Sequence, residues 1–262
     1  MNFLTTALFR TCLAMALVGC LSPAIEAQEG PSASGSLRVG VSPVFPPMVF
    51  KQGKELAGVE VDLARELGAN LGRGITFVEV PWEDQIEALN EGRIDIVMSS
   101  MSITMARQAV VAFSRPYLIV GQMALVRAED QNKYLLGFPL KPPGTVGVLS
   151  ATTGEFLVRR EFPKAKIKTF KTQADAAQAL KKKKIDLLIS DSTLIWYLAG
   201  IHATGGLVAV PFALNEEQLA WAIRKSDEAL LTSVNEFIQK AGQEGTLNRV
   251  FRRWTAVAPE KR

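Results

Sequence analysis

Residues 94–107, with the sequence IDIVMSSMSITMAR, combine side chains that are suited to binding a small anion. The stretch begins with a short apolar run at residues 94–98, typical of a buried parallel strand. Serines follow, and then Thr104 is a favourable helix N-cap with Arg107 in the first helical turn. Free N–H groups at a helix start attract anions, and arginine matches a carboxylate in two-point fashion. The pattern predicts a carboxylate site at the carboxyl edge of a sheet. Ordinary turn serines and a solvated arginine are the alternative.

Length and composition bound the class of protein. The chain has 262 residues, of which 48% are hydrophobic and 21% charged, as in a soluble globular protein of one large or two ordinary domains. The formal net charge of +4 is small and dispersed, and the longest basic run, residues 181–184, contains no aromatic side chain. That run is typical of the solvated end of a helix, so we expect no nucleic acid among the partners.

The N-terminus has the pattern of a targeting segment. A basic residue precedes an apolar stretch at residues 12–21, which is too short to span a bilayer and typical of a signal-peptide core. Residues 17–20 form a lipobox-like LVGC that would leave a lipidated Cys20, and cleavage before Gln28 is the alternative. We favour lipidation at Cys20 and assign residues 1–36 to the signal peptide and a flexible linker. No later apolar run is long enough to cross a membrane.

The cysteine and histidine content disfavours several kinds of chemistry. Both cysteines, Cys12 and Cys20, lie in the targeting segment, so the mature protein is expected to have no disulfide. His202 is the only histidine, which leaves little basis for Ser/His/Asp catalysis or a histidine-ligated zinc. We therefore expect no metal and no cofactor.

Apolar runs alternate with amphipathic segments in the pattern of an α/β protein. Two segments share one layout, residues 84–100 (DQIEALNEGRIDIVMSS) and residues 175–191 (DAAQALKKKKIDLLISD). Each has an amphipathic helix, a polar turn, Ile-Asp, an apolar strand and a serine. We infer two similar lobes whose third strands deliver polar groups to a shared cleft, the alternative being two unrelated units of similar composition. The predicted strands are residues 37–41, 75–80, 94–98, 145–149, 166–170, 185–189 and 207–210, and the predicted helices are residues 59–71, 83–90, 172–180, 226–241 and 246–254. A further helix is predicted after a capping box formed by Thr152 and Glu155.

Two extended segments are predicted to connect the lobes. Residues 117–127 leave the first lobe, and residues 219–224 return to it. The predicted first lobe therefore comprises residues 37–119 plus 220–262, and the second lobe comprises residues 120–219 with the crossings.

The chain resembles the periplasmic solute-binding proteins of the polar amino-acid-binding family, family 3, which are the receptors of ABC importers. The resemblance is carried, in this order, by LRVGVSPVFPPMVF, AGVEVDLARELG, IDIVMSSMSITMARQAVVAFSRPY, VGVLSATTGEF and KKIDLLISDS. It implies a periplasmic-binding-protein-like α/β fold, in which two lobes joined by two crossing segments close on one amino acid. It also implies a periplasmic location and delivery of the ligand to an ABC permease in the inner membrane.

The resemblance implies a role for one charged side chain from each lobe. Arg107 matches the arginine that grips the ligand α-carboxylate, and Asp191 matches the acid that pairs with the α-ammonium group. This agrees with the charges of an amino acid, because a buried site must offer each end of a zwitterion an opposite charge.

The resemblance also implies contacts from hydroxyl and aromatic side chains. These are Ser100 and Ser102 at the carboxylate in the first lobe, Thr152 and Thr153 at the carboxylate in the second, Ser99 near the α-amino group, and Trp82 and Phe45 around the ligand side chain. Ser42, in the first loop, stands where relatives selective for basic amino acids often carry an aspartate. We therefore doubt a lysine- or arginine-type ligand.

Two other functions stay open at this point. The first is an enzyme on the same scaffold, resembling cyclohexadienyl dehydratase, with Asp191 or Glu155 as the proton donor. The second is a ligand-sensing module. Our main expectation is a monomeric binding protein without catalytic activity.

Overall fold

The computed structural model describes residues 35–134 and 144–255, which form a two-lobed α/β protein. Its strands are β1 (Leu37–Val41), β2 (Val44–Phe45), β3 (Val49–Gln52), β4 (Glu55–Ala57), β5 (Ile75–Glu79), β6 (Ile96–Val97), β7 (Ala112–Phe113), β8 (Leu118–Val120), β9 (Gln122–Arg127), β10 (Thr145–Leu149), β11 (Lys166–Phe170), β12 (Leu187–Asp191), β13 (Leu207–Val210), β14 (Glu217–Leu219) and β15 (Ala222–Ile223). Its helices are α1 (Val59–Leu71), α2 (Gln85–Asn90), α3 (Met105–Gln108), α4 (Thr153–Glu161), α5 (Gln173–Lys181), α6 (Ser192–Ile201), α7 (Glu228–Gln243) and α8 (Thr246–Thr255). Short 3-10 helices lie at Trp82–Asp84, Ala128–Lys133 and Ala203–Gly205.

The sheet of the first lobe has the strand order β5-β1-β6-β15-β7. β1 lies between β5 and β6 and runs parallel to both, as expected for strands connected by helices. β15, which comes later in the chain, pairs antiparallel with the far side of β6, and β7 pairs antiparallel with β15. The carboxyl ends of β1 and β6 therefore meet at one edge of the sheet, which is where open α/β sheets bind ligands.

The sheet of the second lobe has the order β11-β10-β12-β9-β13. β10 runs parallel to β11 and β12, which repeats the arrangement around β1. β9 pairs antiparallel with β12 and with β13. The second lobe thus brings the carboxyl ends of β10 and β12 to a second edge.

The crossing segments form a ribbon of their own, in which β8 pairs antiparallel with β14. Gly121 follows β8 directly, and a Cβ atom at this position would lie 2.4 Å from the carbonyl oxygen of Asn215. The close approach of the two backbones therefore requires a glycine here. The ribbon joins the lobes through two segments, as the sequence predicts.

Helix α1 begins and ends where the sequence predicts. Its apolar face places Leu63, Ala64 and Leu67 in the core of the first lobe. The helix ends at Gly72, whose φ of 63° is a left-handed conformation that glycine adopts without strain. Glu60 is an exception to the pattern, because this carboxylate is fully buried on the same side as the apolar residues.

Other predicted elements need correction. The strand expected at residues 94–98 is limited to β6, and the helix expected at residues 83–90 starts as a 3-10 turn. The sequence analysis missed the small sheet β2-β3-β4 and helix α6. Most residues of α6 (STLIWYLAGI) are apolar, and they occupy every side of the helix, so the sequence shows no clear amphipathic period.

Part of the sequence prediction lies outside the described residues. This applies to Cys20 and to both cleavage sites. No helix within residues 35–134 and 144–255 is long and apolar enough to cross a membrane. The same residues contain no group of three or more His, Cys, Asp or Glu side chains that could hold a metal ion.

Candidate functional site

A small cavity lies between the sheet edges of the two lobes. The side chains around it are polar, aromatic or charged, and both lobes contribute. The lining residues are Phe45, Trp82, Ser100, Ser102, Arg107, Thr152, Thr153, Ser190 and Asp191. The structure thus brings together the ligand-binding residues predicted from the sequence, apart from Ser42 and Ser99.

Arg107 is the positive group of the cavity. It lies in α3, whose N-cap Thr104 accepts a hydrogen bond from the Arg107 N–H at 3.2 Å. The guanidinium Nη1 donates to the carbonyl oxygen of Ser102 at 2.8 Å, and the group lies 5.2 Å from the ring centroid of Trp82. Burial lowers the pKa of Arg107, while the nearby carboxylates of Glu217 and Asp191 raise it. The side chain remains a cation that is held in place and has further N–H groups for a carboxylate.

The loop between β6 and α3, residues 98–104 (the serine loop), is stabilised by hydrogen bonds to the buried carboxylate of Glu60. Ser100 has a φ of 59°, an unfavourable conformation for a residue other than glycine. Its N–H donates to Glu60 Oε1 at 2.7 Å, which also accepts from the Tyr117 hydroxyl at 2.6 Å. Glu60 Oε2 accepts from Trp221 Nε1 at 2.8 Å. Burial raises the pKa of Glu60, and the bonds from Tyr117, Ser100 and Trp221 partly oppose this.

The sequence analysis overlooked Glu60. Its signal was an acidic residue on the buried face of an otherwise amphipathic helix, because α1 places Glu60 among apolar side chains. A buried carboxylate needs donors, and here three elements of the first lobe supply them.

Ser42 and Ser99 do not line the cavity. The Ser42 N–H donates to the Ser99 hydroxyl at 2.9 Å, and that hydroxyl faces the Gly40 carbonyl oxygen at 3.4 Å. Both residues are buried, so they connect the end of β1 to the serine loop. A direct ligand contact from either side chain stays a prediction.

Asp191 is the negative group that the second lobe contributes. It ends β12 and immediately precedes α6. Its Oδ1 accepts from Gln122 Nε2 at 2.5 Å. The pKa of Asp191 is raised to about 7, chiefly by burial and also by the neighbouring Glu217, whereas the hydrogen bond from Gln122 and the charge of Arg107 act in the opposite direction.

The threonine pair lies at the start of α4. Thr152 is the N-cap, and its hydroxyl accepts from the Glu155 N–H at 3.4 Å. The predicted capping box needs one correction, because the Glu155 carboxylate accepts from Ala151 N–H at 2.8 Å rather than from Thr152. Glu155 also accepts from Arg159 at 2.6 Å, so this carboxylate is engaged away from the cavity.

Trp82 connects the lobes as well as lining the cavity. Its Nε1 donates to the Ala151 carbonyl oxygen in the second lobe at 3.0 Å. Phe45 packs edge-on against it, with ring centroids 5.1 Å apart. The two aromatic rings form one wall of the cavity, and the indole N–H has a partner across the cleft.

Three further polar residues from the crossing segments reach the site. Gln122 is fully buried at the start of β9, and its Nε2 lies 3.1 Å from Glu217 Oε1. Asn215 Nδ2 donates to the same Glu217 oxygen at 2.8 Å, and Asn215 Oδ1 accepts from the Gln122 N–H at 2.8 Å. The sequence analysis missed all three. The signal for Glu217 was its alternation with the buried Leu219 in a short strand, which places both on one face.

A wider groove adjoins the cavity and shares Arg107 and Thr153 with it. Its volume is about 650 Å³, and its walls are mainly apolar side chains of both lobes. The remaining lining residues are Ile86, Ile103, Thr104, Met105, Ala106, Val110, Ala151, Phe156, Leu157, Arg160, Asn215 and Glu217. The groove has the volume of a small-molecule site, whereas the cavity itself, at about 10 Å³, is nearly closed.

Comparison with known proteins identifies the family. The model of the bacterial extracellular solute-binding proteins, family 3, matches residues 37–257. The chain belongs to this family. It is 30% identical over 249 residues to the L-cystine-binding protein TcyJ of Escherichia coli K12, a match that covers 92% of each chain. It is 27% identical over 253 residues to the cyclohexadienyl dehydratase of Pseudomonas aeruginosa, covering 93% of this chain and 91% of the enzyme.

The solved structures agree with this assignment. The ancestral amino acid-binding protein AncCDT-1, described as a precursor of cyclohexadienyl dehydratase, has a TM-score of 0.77 and 35% sequence identity. The match covers 84% of this chain and 95% of that protein. The predicted family and the predicted periplasmic-binding-protein-like fold are therefore confirmed.

Proposed function

We propose that this family 3 binding protein captures a free amino acid between its lobes and delivers it to an ABC permease. The observation that carries the proposal is that Arg107 from the first lobe and Asp191 from the second line one cavity. Family membership supports the transport role, and the relatives support the ligand class, since two of them are described as binding cystine and amino acids.

The charges of the cavity fit a zwitterion. An α-amino acid presents a carboxylate and an ammonium group a few ångströms apart, and burying either without a partner costs several kcal/mol. Arg107 offers N–H groups to the carboxylate, together with the N-terminal amides and hydroxyls around Thr152. Asp191 offers an acceptor to the ammonium group. Because each lobe holds only one of the two charges, ligand binding favours the closed arrangement of the lobes.

A thermal-shift screen tests this proposal. A ligand that binds only the folded protein stabilises it by about 2.7 kcal/mol at a hundredfold excess over Kd. We expect at least one common amino acid or L-cystine to raise the melting temperature of the wild type, and to raise that of Arg107→Ala much less. Arg252→Ala, at an exposed position of α8, is the matched control and should respond like the wild type. The absence of any response in the wild type would contradict the proposal.

A second candidate function, a dehydratase, is favoured by one observation. The pKa of Asp191 is raised to about 7 by burial, which suits a general acid. Glu155, the other proton donor considered, pairs with Ala151 and Arg159 instead. Incubation with prephenate, with phenylpyruvate followed by its absorbance, distinguishes the two functions. Turnover that Asp191→Asn abolishes would establish the enzyme, whereas amino-acid binding without turnover supports the transport role.

We propose an extracytoplasmic location with a lipid anchor at Cys20, and a monomeric protein with the lobe boundaries given by the sequence. Metabolic labelling with palmitate tests the anchor, because Cys20→Ser should lose the label. A soluble wild-type protein beginning at Gln28 would instead support the alternative cleavage site. Size-exclusion chromatography with light scattering tests the monomer.

A further inference from the structure

The site contains one more carboxylate than a simple zwitterion requires. The guanidinium of Arg107 is influenced by two carboxylates, those of Glu217 and Asp191. Arg160 also lines the groove, but its side chain is exposed and pairs with Glu161 at 2.6 Å. Once a ligand carboxylate pairs with Arg107 and a ligand ammonium group pairs with Asp191, the carboxylate of Glu217 is left over.

The carboxylate of Glu217 also lacks a hydrogen-bond donor for one of its oxygens. Gln122 Nε2 has two hydrogens but lies within bonding distance of three acceptors, on Thr153 at 3.3 Å, on Asp191 at 2.5 Å and on Glu217 at 3.1 Å. Glu217 Oε2 is buried and has no hydrogen-bond partner among residues 35–134 and 144–255. A buried acceptor without a donor is unfavourable, so the arrangement suits a ligand that brings N–H groups of its own.

The position of Glu217 suits the side chain of a ligand rather than its backbone. Glu217 and Asn215 line the wider groove, whereas Asp191 lines the cavity. The groove begins at Arg107 and Thr153, which line both spaces, and is walled by apolar residues such as Ile86 and Phe156. An aliphatic chain could run along these walls, with a cationic group near the buried oxygen of Glu217.

We propose that Glu217 is a specificity residue that selects amino acids carrying a second amino or guanidino group. This rests on the proposed binding of an amino acid at Arg107 and Asp191. The sequence analysis disfavoured a lysine- or arginine-type ligand because Ser42 stands where some relatives carry an aspartate. Ser42 does not line the cavity, and the proposed selecting carboxylate comes from the crossing segment instead. Lysine, arginine and cystine share this chemistry, the second amino group of cystine belonging to a second zwitterion.

Calorimetric titration of the full-length mature protein tests the proposal with four probes, L-lysine, L-arginine, L-cystine and L-glutamine. Glutamine is the neutral comparison, since it is polar and similar in length to lysine. We expect the wild type to bind at least one of the first three about tenfold or more tightly than glutamine. The variant Glu217→Gln should weaken that ligand about tenfold to a hundredfold and glutamine less than about threefold. Preferential binding of lysine or arginine would show that the site selects a cationic side chain. Preferential binding of cystine would show that it selects a second zwitterion.

Two further variants keep the test decisive. Glu216→Gln, at the exposed neighbouring position, should change neither affinity. Glu217→Asp keeps the charge, so it should retain the preference for a cationic ligand even if the Gln variant does not fold. Equal loss of glutamine and cationic ligands in Glu217→Gln would assign Glu217 a structural role and overturn the proposal. Binding of neutral amino acids alone would overturn it while leaving the proposed function intact, whereas no amino-acid binding at all would refute the proposed function itself.

Discussion

The strands β6 and β12 occupy equivalent positions in the two sheets, and the same pattern of aspartate–arginine contacts precedes both. The chain after β6 leads to a cation at the cavity, whereas β12 ends in an anion. In the first lobe Asp95 precedes β6 and accepts from the Arg38 N–H at 3.0 Å and from Arg224 Nη2 at 3.2 Å. Arg224 Nη1 donates to the carbonyl oxygens of Leu89 at 3.2 Å and Ile94 at 2.6 Å. One arginine thus ties the end of helix α2 to the start of the strand.

The second lobe repeats this arrangement. Asp186 accepts from the Thr145 N–H at 2.7 Å and from Arg127 Nη2 at 3.4 Å. Arg127 Nη1 donates to the carbonyl oxygens of Leu180 at 3.0 Å and Ile185 at 2.8 Å. Arg127 ends the antiparallel strand β9 beside β12, and Arg224 directly follows the antiparallel strand β15 beside β6, so the shared layout seen in the sequence corresponds to a shared structure.

The lobes differ after the strands end. In the first, the chain continues through a loop held by Glu60 and reaches Arg107 in a separate helix. In the second, Asp191 ends the strand and leads directly into α6. The same scaffold therefore presents a cation through a braced loop and an anion at the strand end itself. The scaffold thus fixes where charged side chains reach the cavity, and the segment that follows the strand fixes their charge.

The largest expected effect comes from removing the cation. Arg107→Ala should weaken amino-acid binding by about 2–5 kcal/mol, because the ligand carboxylate and the two site acids lose their buried partner. Calorimetry measures this, with Arg252→Ala as the control. An unchanged affinity would show that the first lobe does not supply the carboxylate contact.

The next prediction concerns Glu60, which stabilises the serine loop of the first lobe. Glu60→Gln should lower the free energy of unfolding by about 3 kcal/mol, because an amide nitrogen would face donors from Ser100, Tyr117 and Trp221. Urea denaturation measures the change, and Glu236→Gln, at an exposed position of α7, is the control. Equal stability of both variants would mean that the loop does not depend on Glu60.

The shared arrangement predicts a loss of stability in both lobes. Asp95→Asn should lower the free energy of unfolding by about 2 kcal/mol and Asp186→Asn by about 1 kcal/mol, because each removes a carboxylate that accepts from a backbone N–H and an arginine, and Asp95 also accepts from the Arg38 side chain. Urea denaturation of the two variants side by side makes the comparison. A large loss in one lobe and none in the other would end the structural equivalence.

The smallest expected effect is on pH dependence, and only the second lobe should show it. The pKa of Asp191 is about 7 and is set by burial, Glu217, Gln122 and Arg107, whereas a bound ammonium group favours the ionised carboxylate. Binding below pH 7 must then release a proton, so affinity should fall by up to about 1.4 kcal/mol per pH unit as the pH drops. Asp191→Asn should bind weakly without this slope. A wild-type affinity that is constant between pH 7 and pH 5.5 would contradict the assignment.

Much of the fold followed from periodicity, and less of the site did. The bounds of α1, β1, β10 and β11 match the prediction, because their apolar patterns are clear and their ends carry glycine or polar residues. Gln122, Asn215 and Glu217 were missed because they come from the two crossing segments, which are distant in sequence and meet only in the folded chain. Ser42 was assigned by resemblance, but its N–H contacts Ser99 inside the first lobe.

The proposed clamp of Arg107 and Asp191 on a zwitterion is tested most directly by calorimetry with ligand analogues. The amino acid that stabilises the protein most is compared with its amine, which lacks the carboxylate, and with its acid, which lacks the α-amino group. In the wild type each deletion should weaken binding by about 2 kcal/mol or more. Loss of the carboxylate should cost much less in Arg107→Ala than in the wild type, because only the amides and hydroxyls around Thr152 remain to bind it, and loss of the amino group should cost much less in Asp191→Asn. If Arg107→Ala discriminates against the amine, or Asp191→Asn against the acid, as strongly as the wild type does, the two lobes do not divide the zwitterion between them.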